Sequence, residues 1–228
     1  MKAPVNSGSS ANKQIAPEGT HVARCYQIID KGTTFDEKWQ NRKRKIQFMF
    51  ELPMELAVFN EEKGEQPFYV KTVFNLSMGE KSSLRKFIES WFGKKMTDKQ
   101  AADFEIFTLI GAACMINVVH NGKEDRTYAN IMSISPMPKG MQCPPAVNMP
   151  MCYDTTAHDE QVFIMLPEFM QEDIKKSDEW LSRQSQSATS WTKPNYPTNN
   201  FQTANTNGAG LTDDLDALFG TPNDKDPF

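Results

Sequence analysis

The feature of this 228-residue chain that most limits its fold is a change of apolar period, made once and then reversed. Thr20 to Asp30, Arg42 to Leu52 and Phe68 to Leu76 are rich in β-branched and aromatic residues. In the second stretch Ile46, Phe48, Phe50 and Leu52 alternate with Gln47, Met49 and Glu51, the period of a half-buried strand. At Leu84 the period becomes helical, with Leu84, Phe87, Ile88 and Trp91 on one face. Period two returns in Ala112–His120 and Arg126–Ser135. Asn121-Gly122 between them is a hairpin signal, because both residues tolerate positive φ. Ser77 with Glu80 and Thr97 with Gln100 have capping-box spacing, and Gly93 can end the first helix. The second helix is predicted to reach Leu109. Phe48, Phe50, Phe74 and Trp91 are assigned to the core.

Three strands, a helix and two strands make the element order of a five-stranded OB-fold barrel, so the expected class is mainly β. The barrel is placed at residues 19–138, after a flexible arm at 1–18. Residues 139–182 are predicted to form a Pro- and Met-rich wrapping loop and a C-terminal helix begun by Pro167. The apolar side of that helix holds Phe169, Met170, Ile174 and Leu181. It is expected to pack on the barrel or on another subunit. Residues 183–210 are Ser, Thr, Asn, Gln, Gly and Pro almost throughout, too polar to offset their ordering entropy, and read as a disordered linker. Residues 211–228 form an acidic tail.

Charge divides along the same line. Residues 177–228 hold three basic and seven acidic residues, whereas residues 20–140 hold 18 basic and 15 acidic, a net of +3. A mildly basic body with an acidic tail suits a polyanion binder, and it excludes a strongly basic histone-like protein. No apolar run approaches the ~20 residues that span a bilayer, and no early apolar run follows a basic start, which predicts a soluble cytoplasmic protein with no membrane partner. Cys25, Cys114, Cys143 and Cys152 form no C-x-x-C pair and do not cluster with the three histidines, so neither a metal site nor a cofactor is expected. No Gly-rich phosphate loop, nucleophile elbow or His-Glu-x-x-His helix is present, and no catalytic residue is assigned.

Binding of single strands needs cations along the phosphates and flat side chains on unpaired bases. The densest cationic run is Arg42-Lys43-Arg44-Lys45, just after Trp39. Strand alternation sends Arg42 and Arg44 one way and Lys43 and Lys45 the other. Three strands carry a basic and an aromatic residue two apart: Arg24 with Tyr26, Tyr69 with Lys71, and Arg126 with Tyr128. Tyr69 and Lys71 lie opposite the apolar Phe68/Val70/Phe74 face and are expected to point outward, as is His120 at the end of the fourth strand. These twelve residues are the candidate DNA contacts. Stacking of this kind works for any base, so little sequence preference is expected.

The chain ends LTDDLDALFGTPNDKDPF. The acidic tail closing on Pro-Phe resembles the tip of bacterial-type single-stranded DNA-binding proteins. PEGTHVARCYQIID, the Lys/Arg-rich second strand, SLRKFIESWFGK and VVHNGKEDRTYANIMSI resemble phage-encoded OB-fold single-stranded DNA-binding proteins over residues 17–140. The resemblance implies a non-enzymatic protein that coats single-stranded DNA in phage replication, recombination and repair, in the host cytoplasm. It also implies capture of replication and recombination enzymes by the tail. Pro227 and Phe228 carry that role over directly, and Asp213, Asp214, Asp216, Asp224 and Asp226 supply the charge. Lys225 interrupts the acids, a departure from the bacterial pattern. The sequence leaves homo-oligomer formation open. The other readings of the residues are an adaptor that binds proteins and an RNA-binding protein.

Overall fold

The computed structural model describes residues 14–123 and 126–186. β1 (Gly19–Asp36) and β2 (Asn41–Asn60) form a long hairpin, and β3 (Gly64–Asn75) returns antiparallel along β2. β4 (Ala113–Lys123) pairs with Gly19–Arg24 of β1, and β5 (Arg126–Ser135) pairs with β4. The strand order is β3-β2-β1-β4-β5. Irregularities between Cys25 and Gln27 and between Asp30 and Gly32 bend β1. Beyond the first of these β1 leaves β4, and β6 (Met151–Tyr153) takes the vacated edge in parallel, Gln27 facing Met151 and Ile29 facing Tyr153. Three residues inside a Pro-rich loop carry no readable period, so β6 was not expected.

The predicted closed five-stranded barrel is corrected to an open sheet of six strands. β3 and β5 approach each other, but among the described residues no backbone ladder joins them. Helix α1 (Ser83–Phe92) packs against both edges, so side chains rather than a ladder bridge them. Its Leu84, Ile88 and Trp91 are buried with Phe48, Phe50, Ile116 and Val118. The Trp91 and Phe50 rings lie 5.2 Å apart, and Trp91 Nε1 donates to the Ala113 carbonyl at 3.1 Å, which satisfies its one polar atom. Cys25 and Cys114 are fully buried free thiols, both pushed well above the ordinary thiol value by burial.

Local signals fared unevenly. Gly93 ends α1 in the left-handed region, as expected, but Ser82 rather than Ser77 caps its start by accepting from Arg85 N–H. The Thr97–Gln100 capping box is present and opens α2 (Asp98–Ala102), which stops well before the 3₁₀ turn Ile106–Leu109. The ladder runs through Asn121–Tyr128 and Gly122–Thr127 to Lys123–Arg126, so Asn-Gly lies within the strand rather than at the turn. The predicted arm is tied down from Ala16, which is buried and whose carbonyl accepts from His120 Nε2–H at 2.7 Å.

The single predicted C-terminal helix is three: α3 (Glu160–Met165), α4 (Glu168–Lys175) and α5 (Asp178–Gln186). Phe163, Leu166, Met170 and Ile174 bury themselves with Ile29, Met49 and Tyr153, a second core on the far side of the β1–β2 sheet from α1. Phe169 and Leu181 are exposed, unlike Met170 and Ile174, because the chain breaks between helices and the predicted face does not persist. No helix among the described residues is long and apolar enough to cross a membrane. Residues 1–13, most of the predicted linker, and the tail lie outside the described residues.

Candidate nucleic-acid interface

The tip of the β1–β2 hairpin is set by Asp36. Its carboxylate accepts from the backbone N–H of Lys38 and Trp39, and its carbonyl accepts from Trp39 N–H at 3.2 Å. Gln40 completes the reversal with φ of 47°. This turn holds Trp39 in solvent, 62% exposed, with Phe35 also exposed at the hairpin end. The ammonium groups of Lys38 and Lys43 each stand 5.3 Å from the Trp39 ring. A flat ring carrying two cations at its rim offers a base a face and a phosphate a counter-charge together. Lys38 was not picked out from the sequence, though its place beside Trp39 was a readable signal.

From this tip a strip continues along β2 and β3. Lys45 faces Asn75 across the ladder, Gln47 faces Val73, Met49 faces Lys71 and Glu51 faces Tyr69. Directly opposed residues share a face, so Lys43, Lys45, Val73, Lys71 and Tyr69 line one side of the sheet. Tyr69 is 50% exposed, and Lys71 and Val73 are also exposed. Among the described residues no carboxylate pairs with Lys43, Lys45 or Lys71. The middle of the face is apolar and covered, since Met49 lies in the second core and Gln47 Nε2 approaches Met170 of α4. The strip therefore follows the β3 side, beside α4.

The remaining sequence candidates have other partners. Arg42 reaches Asp178 of α5, Nε donating at 2.6 Å and Nη2 making a second contact. Arg44 is held by Asp30, Nη2 donating at 2.5 Å, and by Asp154 at 3.4 Å, with Glu179 at 4.0 Å. Arg24 donates to the carbonyls of Gly111 at 2.7 Å and Pro144 at 2.9 Å, pinning the wrapping loop against β1. Tyr26 is largely buried beside Met49, and burial, with Tyr69 and Glu51 nearby, raises its hydroxyl far above the ordinary range. His120 is tied to the N-terminal segment, its backbone N–H donating to Glu18 at 2.7 Å. Tyr128 is exposed on β5 and faces Asn121, but it stands at the opposite edge of the strand order from Tyr69. Arg126 pairs with Lys123 at the hairpin end, and its side chain lies outside the described residues.

Two buried carboxylates organise these contacts. Asp30 is 2% exposed and accepts from Arg44, Gly32 N–H and Thr155. Glu51 is fully buried and accepts from Val147 N–H at 3.1 Å and Asn148 N–H at 2.8 Å. Each is an acid inside an apolar run, which marks it in the sequence as needing a partner. A further polar chain runs Tyr153–His158–Glu160: the tyrosine hydroxyl donates to Nδ1 at 2.8 Å, and Nε2–H donates to the carboxylate at 2.8 Å. Burial pushes the Tyr153 hydroxyl up to about 12, and Phe163 packs on its ring, so this chain orders the second core. No protein-family model and no curated protein matches this chain.

Proposed function

We propose that the protein binds single-stranded DNA with little sequence preference, as the phage-encoded proteins it resembles do, and coats it during replication, recombination and repair. The observation that carries this reading is the exposed Trp39 with Lys38 and Lys43 at 5.3 Å, continuous with the outward Lys45, Lys71 and Tyr69. Stacking contributes ~1–3 kcal/mol per base, so two rings and their cations suffice for a measurable site. The element order, and the approach of β3 to β5 across α1, support an OB-like body left open along that seam. The acidic tail is assigned the recruitment of partner enzymes, in the host cytoplasm.

The test is a fluorescence titration of the full chain with a single-stranded and a duplex oligonucleotide at several salt concentrations. Preferential binding of the single strand is expected, with log affinity falling by about 0.7 per phosphate contact for each unit of log salt. Trp39→Ala should weaken it roughly tenfold or more. Equal affinity for both DNA forms would refute the reading. A protein-binding adaptor is the second reading, favoured by the β2–β3 arm, where Met54, Leu56, Val58 and Phe59 are exposed among Glu55, Glu61, Glu62 and Glu65. An acidic apolar arm repels phosphate, and the adaptor predicts no nucleic-acid binding even at low salt. The same titration with RNA of matching sequence separates an RNA preference.

A further inference from the structure

Arg42 stands at the open hairpin tip, two residues from Gln40 and opposite the exposed Phe35, within the segment that presents Trp39. Its guanidinium is 56% exposed and carries no carboxylate from its own hairpin. The carboxylate it meets arrives from 136 residues away, at the first position of α5. Both Asp178 oxygens engage two guanidinium nitrogens, the fork arrangement that a phosphate also satisfies. We infer that Asp178 is a carboxylate latch that occupies a phosphate-binding arginine, so that single-stranded DNA must exchange one of its phosphates for Asp178 at Arg42. The inference rests on the proposed single-strand binding and adds to it a named competitor and a named subsite.

The neighbouring contacts show why the exchange concerns one side chain and not the departure of the helix. Glu179 accepts from Thr33 N–H at 2.7 Å and from Thr33 Oγ1–H at 2.7 Å, fixing α5 to β1. Trp180 stacks on Phe163 with ring centres 4.6 Å apart, and Arg183 donates to the Thr155 carbonyl. Ser177, fully buried, sits against Gly32. Arg44 is a poor candidate for exchange, because its principal partner Asp30 is buried and has no alternative cation. Asp178 differs: 32% of its side chain is exposed, and water or a phosphate can reach the pair. Arg42 holds the Asp178 carboxyl below its ordinary value chiefly by hydrogen bonding, so the latch is charged at neutral pH.

The experiment is a titration of full-length wild-type, Asp178→Asn, Arg42→Gln and doubly substituted chains with an unlabelled oligothymidylate, followed by tryptophan fluorescence at several salt concentrations. Asp178→Asn is expected to tighten binding roughly two- to fivefold, the scale of one exposed ion pair. It should also steepen the salt dependence by about 0.7, one more phosphate engaged. Arg42→Gln should abolish both effects in the double variant. Glu172→Gln, which removes an equal charge from α4 away from this pair, controls for overall charge. Asp178→Ser, which keeps a small polar group at the helix start, gives a second route to the same release, and thermal melts confirm that each variant is folded. A gain that persists without Arg42, a gain matched by Glu172→Gln, or unchanged affinity and slope in the folded Asp178 variants would overturn the latch while leaving single-strand binding intact. If no chain, wild type included, binds the oligonucleotide, the functional reading falls and the latch with it.

Discussion

Gly32 holds φ at 72° where β1 bends, and a Cβ built on it would lie 2.4 Å from Ser177 Cβ. Two independent costs therefore meet at one residue: a left-handed backbone, and a close approach by the chain between α4 and α5. Gly32→Ala is expected to destabilise the protein by about 1–3 kcal/mol, read as a lower midpoint in urea unfolding. An unchanged midpoint would show that the bend and the helix junction yield readily. The sequence shows the glycine but not the approach, because the partner lies 145 positions away in the chain. The same limit applies to Arg24, Arg42 and Arg44. Local alternation separated Arg42 and Arg44 from Lys43 and Lys45, but their long-range acceptors at Pro144, Asp178 and Asp154 had no local trace. Trp39 was the opposite case, since a tryptophan among charged residues in a turn has nothing nearby to bury it.

At the scale of the element, α1 is stitched to the chain that follows it by a buried pair. Arg85 donates to Glu89 at 3.2 Å and to Asp98 at 2.7 Å and also reaches the Met96 carbonyl, while Glu89 accepts from Met96 N–H at 3.0 Å and from Lys95 at 3.0 Å. Burial pushes the Glu89 carboxyl upward, but the Met96 N–H, Lys95 and Arg85 outweigh it and hold it below its ordinary value. A carboxyl lowered on folding adds stability that is complete above its unfolded value, about 4.3, and is lost as the pH falls through the folded one. Glu89→Gln should thus flatten the decline in melting temperature on acidification below about pH 5, at the cost of a lower melting temperature at neutral pH. An identical acid limb in the variant would remove Glu89 from that decline. The strands and α1 were legible because each carries its own period. The three C-terminal helices merged into one expected helix because breaks at Leu166 and Lys176 fall where apolar spacing happens to continue.

Over the whole molecule, the sheet is coated on one side by α1 and on the other by the C-terminal helices, which leaves the β1–β2 tip and the outer side of β3 as the open cationic surface. The acidic segment 211–228, outside the described residues, is expected to compete with DNA for that surface rather than to build it. A chain lacking residues 211–228 should bind oligothymidylate as tightly as the full chain or more so, measured by the same titration, and lose capture of replication enzymes. A marked loss of DNA affinity would assign the tail a place in the binding surface itself. The candidate site was legible as a set of residue types, and the selection among them was not, since that depended on which side of the sheet the residues after Pro138 came to cover. One consequence reaches back to synthesis. Gln27–Ile29 find their second neighbour only in Met151–Tyr153, so on the ribosome this stretch of β1 is made early and keeps a bare edge until most of the described chain has emerged. A nascent chain stalled before residue 151 should be the form most prone to pairing wrongly with its neighbours on a crowded polysome.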